Sequence, residues 1–185
     1  LAHLVKDGFS ILKVGPELTF ALRETLYGLD AIARFLMPEA PSLLSLMEET
    51  MSADPTHWRT HYHGDPETQR LLRHFSYSDR IRYYWPTPKA VQAVYDLVAH
   101  LSGAPLTPTL ISQYLPRFYD RVLDGTLPAT PHALLIQSVR DVLDRYGRAA
   151  QNCPTESQKH GQPTASFQKS RPHYRRCPRH RICDR

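Results

Sequence analysis

The chain has 185 residues, 41% of them hydrophobic, with 16 Pro, 8 Gly and a formal net charge of +5. That length suffices for one domain with a core, and no apolar run approaches the ~18 residues that a membrane span needs. The charge is uneven: residues 1–150 hold 15 Lys+Arg against 16 Asp+Glu, a net −1, whereas residues 151–185 hold 8 against 2, a net +6, and also all three Cys. A body without Cys excludes a disulfide framework and suits a reducing cytoplasm.

The N-terminus lacks a basic leader followed by a long apolar stretch, so it does not read as a signal peptide. It opens mid-pattern and without an initiator Met, which predicts a piece of a longer chain. Leu1–Lys6 reads as the end of a helix. Residues 9–15, Phe-Ser-Ile-Leu-Lys-Val-Gly, read as a short buried strand. A helix follows at once, with Pro16 at its first position and Glu17 at the positive end of its dipole. Leu18, Leu22, Leu26, Leu29, Ala33 and Leu36 form one apolar stripe, and Pro38 and Pro41 end it.

Beyond residue 42 the signals are helical. Five capping residues are followed by Pro: Asp54-Pro55, Asp65-Pro66, Thr87-Pro88, Thr107-Pro108 and Thr130-Pro131. Each pairs an N-cap acceptor with a preset φ. Helices are predicted over 42–51, 55–62, 66–74, 78–85, 88–101, 108–124 and 131–146, with Pro116 kinking or splitting the sixth. Gly103, Gly125 and Gly147 are the expected stops. Residues 151–185 lose all periodicity and most large apolar side chains, so they are expected to be disordered. One strand alone has no partner for its backbone groups, which again points to missing neighbours upstream.

Three blocks carry a family resemblance. They are Phe9 through Glu24, then Tyr77-Ser-Asp-Arg-Ile-Arg-Tyr-Tyr-Trp-Pro86, and then Ile111-Ser-Gln-Tyr-Leu-Pro116 with Pro131-His-Ala-Leu-Leu-Ile and Asp141-Val-Leu-Asp-Arg-Tyr-Gly147. In order and spacing they resemble the Z-type subunit of class II tagatose-bisphosphate aldolase, over most of residues 1–150. The resemblance implies an α/β parent fold, an aldolase-type TIM barrel. Of it this chain would hold the last βα unit (1–37, with its strand at about 9–15) and a mostly α-helical C-terminal extension (38–150). The basic tail, 151–185, is not shared.

The implied function is that of a cytoplasmic accessory subunit without catalytic residues or cofactor. Its partner is the catalytic class II aldolase subunit, whose activity and stability it supports in a chaperone-like way, and self-association is a further contact. That enzyme cleaves tagatose 1,6-bisphosphate in galactitol or N-acetylgalactosamine breakdown. Family members are also labelled tagatose 6-phosphate kinases, but the chain has no Gly-rich phosphate loop. A sugar-phosphate enzyme and an inactive truncated product are the alternatives.

Lys13, Gly15 and Thr19 would stand where the last strand of a barrel meets its helix, a common phosphate site; the alternative is a buried strand with a snorkelling Lys. Asp79, Arg80, Arg82, Tyr83, Tyr84 and Trp85, with Tyr114, combine the Arg and aromatic side chains favoured at subunit interfaces. The competing reading is a helix capped by Asp79 with Trp85 in the core. His57 and His61 have i, i+4 spacing but no third ligand, and read as solvated. His173, Cys177, His180 and Cys183 lie too close together, without packing residues, to make a closed zinc site. The Arg-rich tail reads as solvated rather than as a nucleic-acid site.

Overall fold

Four of the five capping pairs open a helix. The computed structural model describes residues 3, 5, 7, 9 and 14–151, and among them the regular structure is entirely helical. The helices are α1 (Glu17–Leu36), α2 (Leu43–Ala53), α3 (Pro66–Phe75), α4 (Pro88–Ser102), α5 (Pro108–Tyr114), α6 (Tyr119–Leu123) and α7 (Pro131–Gln151), with 3-10 turns at Arg80–Tyr83 and Pro116–Phe118. Asp65 accepts from Thr68 N, Thr107 from Leu110 N and Thr130 from Ala133 N. Thr87 starts α4 on its fixed-φ Pro alone, because its hydroxyl donates to Tyr84 O instead.

The strand expected at 9–15 is not found among the described residues. Residues 10–13, Lys13 included, lie outside them, while Phe9, Val14 and Gly15 are exposed and carry no regular structure. The tail from residue 152 onward, with its disorder and zinc readings, also lies outside the described residues. His3 and Val5 have helical backbone, and Val5 is buried.

α1 is the hub. It packs most extensively on α7 and also on α4, α5 and α2, while α2 packs on α4 and α3. Of the expected stripe, Leu26, Leu29 and Ala33 are buried, joined by Ile32; Leu18, Leu22 and Leu36 are half-buried. With Met47, Met51, Ile81, Tyr84, Ile111, Phe118 and Leu134 they make one continuous core. Gly28 lets α5 approach α1: a Cβ there would lie 2.8 Å from the Tyr114 carbonyl oxygen and against the Leu115 side chain. Pro116 splits the predicted 108–124 helix, and Gly125, at φ 77°, follows the end of α6.

Three expectations are corrected. Residues 55–62 form isolated turns, not a helix. Trp58 and Tyr62 are buried and drawn to separate anchors: Trp58 Nε1 donates to Met51 O at 2.6 Å, and Tyr62 Oη accepts from Ser78 Oγ and Arg80 N. These ties rather than the segment's length set its conformation, because α5 and α6 are shorter and helical. Within 78–85 only Arg80–Tyr83 is helical, as a 3-10 turn preceded by Asp79 at φ 51°, ψ 48°, the left-handed region that Asp tolerates better than most residues. Gly147 does not stop α7, which runs on to Gln151 through the helix-favouring Ala149 and Ala150.

Candidate functional site

The polar side chains of α1 are spaced to share a face: Thr19, Arg23, Tyr27 and Asp30 recur at intervals of four, four and three. That face meets α2, α3 and the turn at Arg80–Tyr83, and a buried polar cluster forms there. Asp79 and Arg23 are 0% and 2% exposed. Thr19 Oγ1 donates to Asp79 Oδ2 at 2.6 Å, and Arg23 Nη1 lies 3.2 Å from Asp79 Oδ1 in ion-pair contact without hydrogen-bond geometry. Arg23 also donates to the His74 and Ser76 carbonyls, and its guanidinium lies over the Phe20 ring at 4.3 Å. Burial pushes the Asp79 carboxyl up, against the opposing pull of Thr19, Arg23 and Arg82.

A second arm runs through His74, which is 2% exposed. Its Nδ1 is 2.6 Å from Tyr27 Oη and its Nε2 is 3.0 Å from Glu48 Oε2. Arg73 grips Glu48 with Nε and Nη2 and stacks over Trp58. Burial raises the Tyr27 hydroxyl well above its usual range, so it keeps its proton. Burial holds His74 below its usual value despite Glu48. Neutral His74 then accepts from Tyr27 at Nδ1 and donates to Glu48 at Nε2. Burial works to raise Glu48, but Arg73 and His74 outweigh it and the net direction is down. Asp30 ends the face: it accepts from Leu43 N at 2.8 Å and from Leu44 N and Ser42 Oγ at 3.3 Å, a carboxylate seated on the positive end of α2.

The expected site residues separate into distinct places. Thr19 spends its hydroxyl on Asp79 and on Pro16 O, so it serves the core rather than a ligand. Gly15 lines a groove of about 480 Å³ with Glu17, Phe20, Glu24, Tyr77, Arg117 and Arg145. The cations of that groove are already paired: Arg145 with Glu17, and Arg117 with Glu24 and Asp141. Asp79 does not cap a helix through its side chain, and Tyr84, 2% exposed, lies in the core with its hydroxyl donating to Asp54 O. Neither is on the surface. Trp85 is half-buried beside Tyr27, and Tyr114 is half-buried beside Gly28.

Tyr83 is exposed, with Arg80 and Arg82 half-buried beside it. Arg82 lies 4.4 Å over the Tyr83 ring, and His57 stacks on the same ring at 4.9 Å. His57, His61 and His63 are exposed on non-helical backbone, and among the described residues no group of three or more His, Cys, Asp or Glu could hold a metal. No described helix is long and apolar enough to cross a membrane. Arg23, Tyr27, Glu48 and His74 were not singled out from the sequence, although the polar spacing along α1 was there to be read.

The family model described as D-tagatose-1,6-bisphosphate aldolase subunit GatZ/KbaZ-like matches residues 1–151. Among solved structures, the crystal structure of a probable tagatose 6 phosphate kinase from Sinorhizobium meliloti 1021 is similar at 53% sequence identity with a TM-score of 0.76. The match takes in 80% of this chain and 39% of that one, so the chain spans well under half the length of this solved relative. With the match reaching from residue 1 to the last turn of α7, the chain belongs to the D-tagatose-1,6-bisphosphate aldolase subunit GatZ/KbaZ-like family.

Proposed function

We propose that this chain acts through contact, as part of a non-catalytic accessory subunit that supports the activity and stability of a class II tagatose-bisphosphate aldolase in the cytoplasm. In this reading residues 1–37 are the last βα unit of a barrel and 38–150 a helical extension. The reaction supported is cleavage of tagatose 1,6-bisphosphate to dihydroxyacetone phosphate and glyceraldehyde 3-phosphate, in galactitol or N-acetylgalactosamine breakdown. The family match across residues 1–151 carries the proposal. Two features of the described residues favour contact over chemistry. The buried polar groups join this chain's own helices, and the groove beside Gly15 has its Arg side chains neutralised by carboxylates. A phosphate would have to displace those pairs, at a desolvation and ion-pair cost.

The test is co-purification of the full chain with a class II tagatose-bisphosphate aldolase catalytic subunit, with that subunit's thermal inactivation followed in parallel. A stable complex and slower inactivation are expected. Absence of both would end the reading. A second reading, sugar-phosphate phosphorylation, is favoured by the description of the solved relative. ATP-dependent phosphorylation of tagatose 6-phosphate by the purified chain would establish it in place of the first.

A further inference from the structure

The groups around Tyr83 combine three properties rarely found together on a free surface: rigidity, exposure and unspent positive charge. Tyr83 is 43% exposed, yet its ring is held by His57, stacked at 4.9 Å and 28°, and by the Arg82 guanidinium at 4.4 Å. Arg82 is fixed in turn: Nη1 donates to Ser78 O at 2.6 Å and to Asp79 O at 3.1 Å, and Nη2 donates to Tyr83 Oη at 2.8 Å. A guanidinium has five N–H donors. Three are used, so Nε–H and one N–H of Nη2 remain.

Beside it, Arg80 keeps a buried Nε without a hydrogen-bond partner, its guanidinium 5.9 Å from the Tyr83 ring. Among the described residues neither Arg80 nor Arg82 has a carboxylate within ion-pair distance. Asp79, the carboxylate that the Arg82 charge reaches, is committed to Thr19 and Arg23. The left-handed turn at Asp79, locked from below by that commitment, is what presents the pair of arginines.

We propose that Arg80, Arg82, Tyr83 and His57 form a docking ledge for an acidic protein surface, one that presents Asp or Glu carboxylates from the catalytic aldolase subunit. The proposal rests on the accessory reading above and names the face it uses. Charge complementarity selects the occupant: two free N–H donors on a fixed guanidinium suit a carboxylate, and a second unpaired Arg stands alongside. A protein surface fits better than a small anion, because Arg82 and Tyr83 stand outside the groove at Gly15, and a flat aromatic–Arg ledge is what interface hot spots use. Because the ledge is already ordered in the free chain, docking freezes few rotamers.

The experiment titrates the full chain against an immobilised class II tagatose-bisphosphate aldolase catalytic subunit at low and high salt. Arg82→Glu and Tyr83→Ala are compared with Tyr95→Ala, an exposed aromatic on α4. Each should weaken binding by about tenfold or more, Arg82→Glu should also flatten the salt dependence, and Tyr95→Ala should change nothing. Arg82→Glu removes two ties to the turn, so unfolding is monitored alongside. Tyr83→Ala removes the ring and one hydrogen bond from Arg82 but leaves both ties of Arg82 to the turn, and decides the matter if the Arg variant is unstable. Wild-type binding with both variants within about twofold of it overturns the ledge and leaves the accessory reading standing. No binding by the wild-type chain overturns the accessory reading and the ledge with it. Variants that bind the aldolase normally but lose self-association also overturn the proposal, by giving the ledge to a second copy of the chain.

Discussion

α1 is closed on two neighbouring faces by different means. Toward α2, α3 and the 3-10 turn, it buries Arg23 and Asp30 in a web of charged hydrogen bonds with half-buried Thr19 and Tyr27. Toward α7 it relies on apolar packing, with the Arg145–Glu17 ion pair at the solvent edge. The difference matters because the two kinds of closure fail differently. A buried charge that loses its partner is costly, whereas an exposed pair contributes little and apolar packing fails in proportion to the volume disturbed.

The sharpest way to break the comparison is Asp79→Ala. It leaves the Arg23 charge, 2% exposed, with carbonyl partners but no carboxylate, and puts a non-polar residue at φ 51°. A loss of about 3–5 kcal/mol in chemical denaturation is expected, and Asp79→Asn, which tolerates that φ, should lose less. If Asp79→Ala cost no more than an exposed pair, the buried web would be ornamental. On the packing side, Gly28→Ala forces a Cβ toward the Tyr114 carbonyl and the Leu115 side chain and should cost about 1–3 kcal/mol. The readout is the same.

Acid should distinguish the faces next. The folded state holds His74 below its usual value of 6.5, so the unfolded chain binds more protons there. Stability is therefore full above pH 6.5 and falls as pH drops through 6.5 toward the lowered folded value. Glu48, also lowered, loses its contribution further down, as pH falls through its own folded value. His74→Gln should flatten the upper part of that profile in pH-dependent melting; an unchanged profile would place the titration elsewhere.

Smaller still is Asp141→Asn on α7. Asp141 is held at about pH 2 chiefly by its two 2.8 Å hydrogen bonds from Arg121. Its contribution is present above 3.8 and lost as pH falls toward 2, and at neutral pH the substitution should cost about 1 kcal/mol. Smallest is Ile136→Ser, 43% exposed beside Leu135 and Val139, which should move stability by less than about 0.5 kcal/mol.

Much of the scaffold could be read in the sequence because it is decided locally. Asp65, Thr87, Thr107 and Thr130 each stand directly before the Pro that starts a helix, and Pro116 breaks one. Asp54-Pro55 has the same local signal and yields only turns, because Trp58 and Tyr62 are bound to α2 and to the 76–80 loop. The interface block at 78–85 was visible as a composition of Arg and aromatics, but not its division into a buried part, Asp79 and Tyr84, and a part that reaches solvent, half-buried Arg82 and exposed Tyr83. That division depends on Thr19 and Arg23, about 60 residues away in sequence. The web itself was half legible: its α1 side shows as regularly spaced polar residues, while Glu48 and His74 look like ordinary surface helix residues until the helices are assembled.

The clasp between Glu17 and the Arg145–Tyr146 pair joins residues 128 and 129 positions apart. During synthesis at roughly 5–20 residues per second, α1 leaves the ribosome several seconds to some tens of seconds before its main packing partner, α7. Over that interval Leu22 and Leu26 have no Leu135 beside them. The earliest described helix of this body is completed by the latest, so a nascent chain paused before residue 131 is the form most exposed to aggregation and most in need of a chaperone.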